Sequence, residues 1–113
     1  MNLGKMGEEI AERYLKNKGY VILCRNFRCR QGEIDIIATF ENTLVFIEVK
    51  TRSNLNYGLP CESINSNKKN HIKRVAMQYL FKAKVAFDSQ RIDVIEILQE
   101  KGKLYIKHTE NAF

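Results

Sequence analysis

Asp35, Glu48 and Lys50 interrupt a stretch, GEIDIIATFENTLVFIEVKTR at residues 32–52, that is otherwise rich in Ile, Val, Leu and Phe. A carboxylate set among apolar strand residues needs a partner, because an isolated buried ion costs on the order of several kcal/mol or more. The stretch reads as two strands, Glu33–Thr39 and Leu44–Arg52, joined by a short polar turn at Phe40–Thr43. Side chains alternate faces along a strand. Glu33 and Asp35 therefore share one face of the first strand, and Phe46, Glu48, Lys50 and Arg52 share one face of the second. If Glu41 and Asn42 form a two-residue hairpin loop, Phe40 pairs with Thr43. The same register sets Asp35 across from Glu48 and Glu33 across from Lys50. Like charges so opposed, roughly 4.5–5.5 Å apart, are destabilising. Two carboxylates held that close share a cation or a proton, and with a lysine alongside a divalent metal ion is the better expectation.

The spacing D-x12-E-x-K suits hydrolysis of a phosphodiester. Mg²⁺ prefers one or two protein carboxylates, several waters and substrate phosphate oxygens. Asp35 and Glu48 would supply the protein share, with the Val49 carbonyl a candidate third ligand. The ion would polarise the phosphate and lower the pKa of a bound water. Lys50, on the face of Glu48, would orient that water or stabilise charge developing on the phosphate. Glu33 is placed to hold the Lys50 ammonium. The competing reading of the trio is a structural Asp–Lys–Glu network on a solvated sheet face, which half-exposed strands carry at little cost.

The elements that must position these groups follow from periodicity. Residues 3–18 form an amphipathic helix, with Leu3, Gly7, Ile10, Ala11 and Tyr14 on one stripe. Glu9, Glu12, Arg13 and Lys16 face away, and Gly19 is the stop signal. Glu8 lies at the edge of the apolar stripe beside Leu15, where a lone glutamate is ordinarily solvated. Tyr20–Cys24 is a short strand, and Arg25–Gly32 a basic loop or strand extension. Arg25, Arg28 and Arg30, interleaved with Phe27, could grip phosphates or simply charge a sheet edge against aggregation.

Residues 53–66, with Gly58 and Pro60, form a polar loop beside the proposed site. A second helix spans Asn67–Lys82, with Ser66 as its N-cap and Ile72, Val75, Ala76, Tyr79 and Leu80 buried. Lys68, Lys69, His71, Lys73 and Arg74 crowd its first turns. Cations there oppose the helix dipole, which points to an anion nearby or to a solvated basic face. Arg91–Leu98 alternates as a strand, and Lys101–Gly102 turns into a last strand at Leu104–His108. Asp93 and Glu96 read as ordinary strand-face or edge residues. The order α-β-β-β-α-β-β gives an α/β fold, a small mixed sheet flanked by two helices. A right-handed crossover through the second helix should bring Arg91–Leu98 parallel to Leu44–Arg52.

At 113 residues the chain is the size of one domain, 1–113, and its net charge of +6 suggests a polyanionic partner or serves solubility. No run approaches the roughly 18 apolar residues of a membrane span. The charged N-terminus has no apolar signal-peptide core, so the cytoplasm is the expectation. Cys24, Cys29 and Cys61 are an odd count without CxxC spacing, and only His71 and His108 accompany them. They make a poor disulfide framework and a poor zinc site, so reduced structural cysteines are expected.

GEIDIIA followed by LVFIEVKTR resembles the PD-(D/E)xK nuclease core, the restriction-endonuclease-like fold. More closely, the chain resembles the YraN-type family of bacterial proteins, distant relatives of archaeal Holliday junction resolvases. The likeness runs through Gly7-Glu8, Ala11, Tyr14-Leu15, Gly19-Tyr20, Asn26, Arg28, the two motif strands, Lys68 or Lys69, Asp93 and Asn111-Ala112-Phe113. It implies that Asp35 and Glu48 are metal ligands, that Lys50 is the catalytic lysine, and that Glu8 reaches the metal from the first helix. Ile34 stands where the motif's proline would be, as in many resolvase-like members. The resemblance thus implies a Mg²⁺- or Mn²⁺-dependent endonuclease acting on branched or non-standard DNA, as a homodimer where a symmetric junction needs two cuts. Arg25, Arg28, Arg30, Arg52, Lys68, Lys69 and Lys73 are its candidate nucleic-acid contacts. The alternative is a non-catalytic nucleic-acid-binding or protein-interaction module that keeps the nuclease fold.

Overall fold

Two helices and five strands alternate in the order α1 (Leu3–Asn17), β1 (Val21–Cys29), β2 (Gly32–Phe40), β3 (Thr43–Arg52), α2 (Ser66–Ala83), β4 (Ser89–Glu100) and β5 (Lys103–Thr109). The computed structural model of the chain describes residues 3–52, 66–84, 87 and 89–112. The polar loop expected over residues 53–66, with Gly58, Pro60 and Cys61, lies almost wholly outside them. So do the side chains of Lys68 and Lys69. The strands form one mixed sheet in sequence order. β1, β2 and β3 are successive antiparallel neighbours, β4 runs parallel to β3, and β5 returns antiparallel on β4. The expected parallel pairing of the β3 and β4 segments is therefore present, and the architecture is that of a restriction-endonuclease-like core.

Period-two alternation in the sheet builds two cores. Val45 and Ile47 of β3 pack with Ala11 and Leu15 of α1, Ile36 and Ala38 of β2, and Ile95 and Ile97 of β4. Leu44 and Phe46 of β3 face the other way, against Ile37 of β2 and Ile72, Val75 and Ala76 of α2. Burying such a side chain stabilises the fold by roughly 1.5–3 kcal/mol, so β3, apolar on both faces, anchors both layers. Glu41 and Asn42, at φ 48° and 63°, make the two-residue turn that pairs Phe40 with Thr43. Positive φ at both central residues is the type I′ geometry whose twist matches that of the strands.

Four details depart from the sequence reading. The strand expected at Tyr20–Cys24 runs instead from Val21 to Cys29, so of the two readings of the basic segment, loop or strand extension, the second holds, and it forms a hairpin with β2. Glu12 does not face away: Arg25 Nη1 lies 3.5 Å from its carboxylate. Asp93 and Glu96 are not ordinary face or edge residues but are buried, at 0% and 7% exposure. Asp93 is a hub. It accepts hydrogen bonds from Arg91 Nε (2.9 Å) and the Asn111 N–H (2.9 Å), and its Oδ2 lies 2.7 Å from His108 Nε2. Arg91 also pairs with Glu110 at 2.8 Å, and His108 Nδ1 hydrogen-bonds the Tyr14 hydroxyl at 3.1 Å. The network ties the chain's last described residues and α1 to β4. Burial alone would raise the Asp93 carboxyl, but these bonds hold it below its ordinary value.

The fourth departure concerns the two motif strands. Their ladder runs from Phe40–Thr43 only to Ile36–Ile47, so Asp35 and Glu48 are not joined as a ladder pair. Just there the alternation of β2 also breaks. Ile36 belongs to the α1 core and Ile34, two residues earlier, to the α2 core. On β1 the partners Arg25 and Phe27 flank Asn26, whose φ is 54°. The two strands roll over together at Asn26 and Asp35, which takes Asp35 out of the α2 layer and toward α1.

α1 comes close enough to use this. A Cβ on Gly7 would overlap the Thr51 hydroxyl of β3, so only glycine lets the helix start lie directly on the strand. Gly7→Leu is expected to destabilise the protein by about 1–3 kcal/mol through overpacking, measured by urea unfolding. Asp93→Ala should cost about 3–5 kcal/mol in the same assay, since it leaves Arg91 without its buried counter-charge.

Candidate metal centre at the fork of β2 and β3

Where the ladder stops, the Val49 N–H donates to Asp35 Oδ2 at 2.8 Å. The aspartate thus satisfies a backbone group that a β2 carbonyl would otherwise take, and its own orientation is fixed by a strand. Because of the roll at Asn26, the remaining acceptor capacity of Asp35 is turned to Glu8 and Glu33. One carboxylate oxygen from each of Glu8, Glu33 and Asp35 lies within 4.8 Å of the others. Glu48 stands close by, 8% exposed, with Oε1 3.4 Å from Lys50 Nζ.

Electrostatics mark this cluster as unbalanced. The Asp35 carboxyl is pushed up to about 7, first by burial, then by the Glu48 charge, with Glu8 and Glu33 adding to the rise; the Val49 N–H opposes it. Arg25, Arg28 and Lys50 pair with Glu8, Glu33 and Glu48, and Asp35 is the member whose proton is held more tightly. Oxygen donors in this number suit a hard divalent ion such as Mg²⁺ or Mn²⁺.

The residues singled out from the sequence fall into three groups. Glu8 and Asp35 are brought together, and Glu48 and Lys50 lie beside them as an ion pair. Glu33, read as the holder of Lys50, joins the carboxylate cluster of Glu8 and Asp35. Its membership was readable in principle, since Glu33 and Asp35 share strand parity. The basic residues are the third group. Arg25 sits 3.5 Å from both Glu8 and Glu12, which draws its charge to the flank of the cluster. Arg28 Nε donates to Glu33 at 2.8 Å. Arg52 is partly buried, 3.7 Å from Glu96, while Arg30 and Lys73 are exposed. The Arg25 bridge to α1 was not visible in the sequence, because it depends on which face of β1 the roll presents.

A pH dependence follows in the metal-free protein. The folded value of Asp35 lies above its unfolded value of 3.8, so its stabilising contribution is complete below about pH 4 and is lost as pH rises through about 7. In EDTA, the melting temperature of wild type should therefore fall relative to that of Asp35→Asn between pH 5 and 8. Thermal denaturation across that range checks it; parallel curves would refute the raised value.

The chain's relatives share its whole length. Residues 7–97 match the family model described as "Uncharacterised protein family UPF0102". A UPF0102 protein of Alkaliphilus oremlandii is 50% identical over 113 residues, covering 98% of this chain and 97% of that one. UPF0102 proteins of Caldicellulosiruptor saccharolyticus and Caldanaerobacter subterraneus are 47% and 42% identical, over 98% of this chain and 96% and 93% of theirs. On these matches the chain belongs to the UPF0102 family, the YraN-type proteins that its motif strands resemble.

Proposed function

We propose that this protein is a Mg²⁺- or Mn²⁺-dependent endonuclease that hydrolyses phosphodiester bonds in DNA, with branched or otherwise non-standard structures as its substrates. One observation carries the reading. Asp35, locked by the Val49 N–H at the fork of two strands, faces Glu8 and Glu33 within 4.8 Å and stands beside the Glu48–Lys50 pair.

The residues fit the ion. Asp35, Glu8 and Glu33 offer convergent oxygens, Glu48 and the Val49 carbonyl are the candidate further donors, and burial followed by the neighbouring carboxylates raises the Asp35 value. The bound ion would polarise a phosphate oxygen and make a coordinated water a better nucleophile. The chain's own groups do the positioning. Val49 fixes Asp35, and Glu48 holds the Lys50 ammonium where it can orient the attacking water and stabilise charge on the phosphate. Arg30 and Lys73, exposed on the β1–β2 hairpin and on α2, supply positive charge for the DNA backbone. A symmetric junction needs two cuts and the described residues of one chain offer one such site, so a two-fold homodimer is the assembly that this reading requires.

Four-way junction, flap and single-stranded DNA, each incubated with Mg²⁺ or Mn²⁺, test the proposal. Wild type is expected to nick at least the junction. Asp35→Asn and Lys50→Ala should each lower the rate by about 10²–10³ or more, as loss of a group stabilising developing charge does. No cleavage by folded wild type, or equal cleavage by all three proteins, favours the non-catalytic binding module instead.

A further inference from the structure

We infer that the Arg28–Glu33 ion pair couples the two ligands of this site: metal binding draws the Glu33 charge away, and the freed Arg28 guanidinium takes a DNA phosphate. The inference rests on the metal reading above and adds a regulatory link to it.

Arg28 and Glu33 are direct partners in the β1–β2 ladder, and Arg28 Nε donates to Glu33 Oε2 at 2.8 Å. The same Glu33 carboxylate has an oxygen within 4.8 Å of those of Glu8 and Asp35. One carboxylate therefore stands between a resident guanidinium and the place of a divalent cation. A carboxylate has enough lone pairs to touch both, but its charge cannot satisfy both. Once a doubly charged ion sits beside Glu33, Arg28 faces a neutralised or repelling neighbour.

Exposure settles which partner yields. The Arg28 side chain is 74% exposed and that of Glu33 35%, and exposed ion pairs contribute little net stability. The pair opens readily. Arg28 and Glu33 line an open cleft together with Cys29, Arg30, Gln31 and Gly32. A released Arg28 thus lies beside Arg30, and its planar fork matches two phosphate oxygens. The cleft is also fixed in place. A Cβ on Gly32 would sit 3.4 Å from Val75 of α2, so this end of the hairpin rests on the second helix rather than swinging free.

By linkage, an ion that frees Arg28 for DNA must itself be bound more tightly when DNA is present. The test pairs isothermal titration of Mn²⁺ without DNA with fluorescence anisotropy of a labelled four-way junction in EDTA and in Ca²⁺. Wild type is expected to bind Mn²⁺ saturably and to bind the junction roughly two- to fivefold more tightly in Ca²⁺ than in EDTA, the range that an exposed ion pair can supply. Arg28→Ala, with no pair to open, should bind Mn²⁺ at least as tightly as wild type and lose most of that tightening, with Arg28→Lys between the two. Glu33→Gln should bind Mn²⁺ more weakly and, in EDTA, hold DNA more tightly than wild type. Glu41→Gln, the same charge change at the far end of β2, should show no such gain. Wild type that binds no Mn²⁺ overturns the metal reading and this coupling with it. Mn²⁺ binding by wild type, but with no tightening or with equal tightening in Arg28→Ala, overturns the coupling alone. So does an equal gain in Glu33→Gln and Glu41→Gln.

Discussion

The hydrogen bond from the Val49 N–H to Asp35 is the constraint on which the site depends. A two-stranded ladder that continued past Ile36–Ile47 would use the Val49 N–H on a β2 carbonyl and turn Asp35 into one more face residue. Replacing that carbonyl with a side chain ends the ladder without orphaning a buried donor. It also fixes a carboxylate to the backbone of the strand carrying Glu48 and Lys50. The fork and the site are thus one event, and the roll of β1 and β2 about Asn26 decides which helix the fork faces.

The rest of the fold brings partners to that point. Gly7 lets α1 lie against Thr51, so the start of the helix meets β3 just beyond Lys50 and carries Glu8 with it. Arg25, on the same side of the rolled strand, ties Glu8 and Glu12 to β1. The first contact brings the Glu8 charge toward Asp35, and the Arg25 pairs offset part of the repulsion that results. The apolar layers on both faces of β3 offset the cost, since they are complete without any contribution from the acidic residues.

Much of this was legible in the sequence because periodicity carries it. The seven elements, the Glu41–Asn42 turn, the buried stripe of α2 and the convergence of Asp35, Glu48 and Lys50 on one locality all follow from spacing. What spacing could not give is the break in spacing. A single residue at positive φ, Asn26, reverses the faces of two strands, and no alternation rule signals it. Extrapolating the hairpin register past Ile36 therefore assigned Glu33 to Lys50 and overlooked its place beside Glu8. Asp93 was misread for a related reason. Arg91 shares its strand two residues away, but His108 and Asn111 are fifteen and eighteen residues away and are brought to it by the return of β5 along β4.

Asp93 and Asp35 show two ways in which one sheet treats a carboxylate set into a strand. Both are aspartates on strands of the same sheet, and burial pushes both carboxyls upward. Asp93 meets a guanidinium, an imidazole and a backbone N–H, and ends below its ordinary value. Asp35 meets one backbone N–H and three further carboxylates, and ends near 7. Burial is thus not the discriminating property, nor is charge. The difference lies in whether the surrounding chain completes the group's electrostatics. At Asp93 it does, and the product is a clasp that holds the tail and α1 to β4. At Asp35 the folded chain sets three further carboxylates around an aspartate that one backbone N–H holds, the charge pattern on which the metal proposal rests.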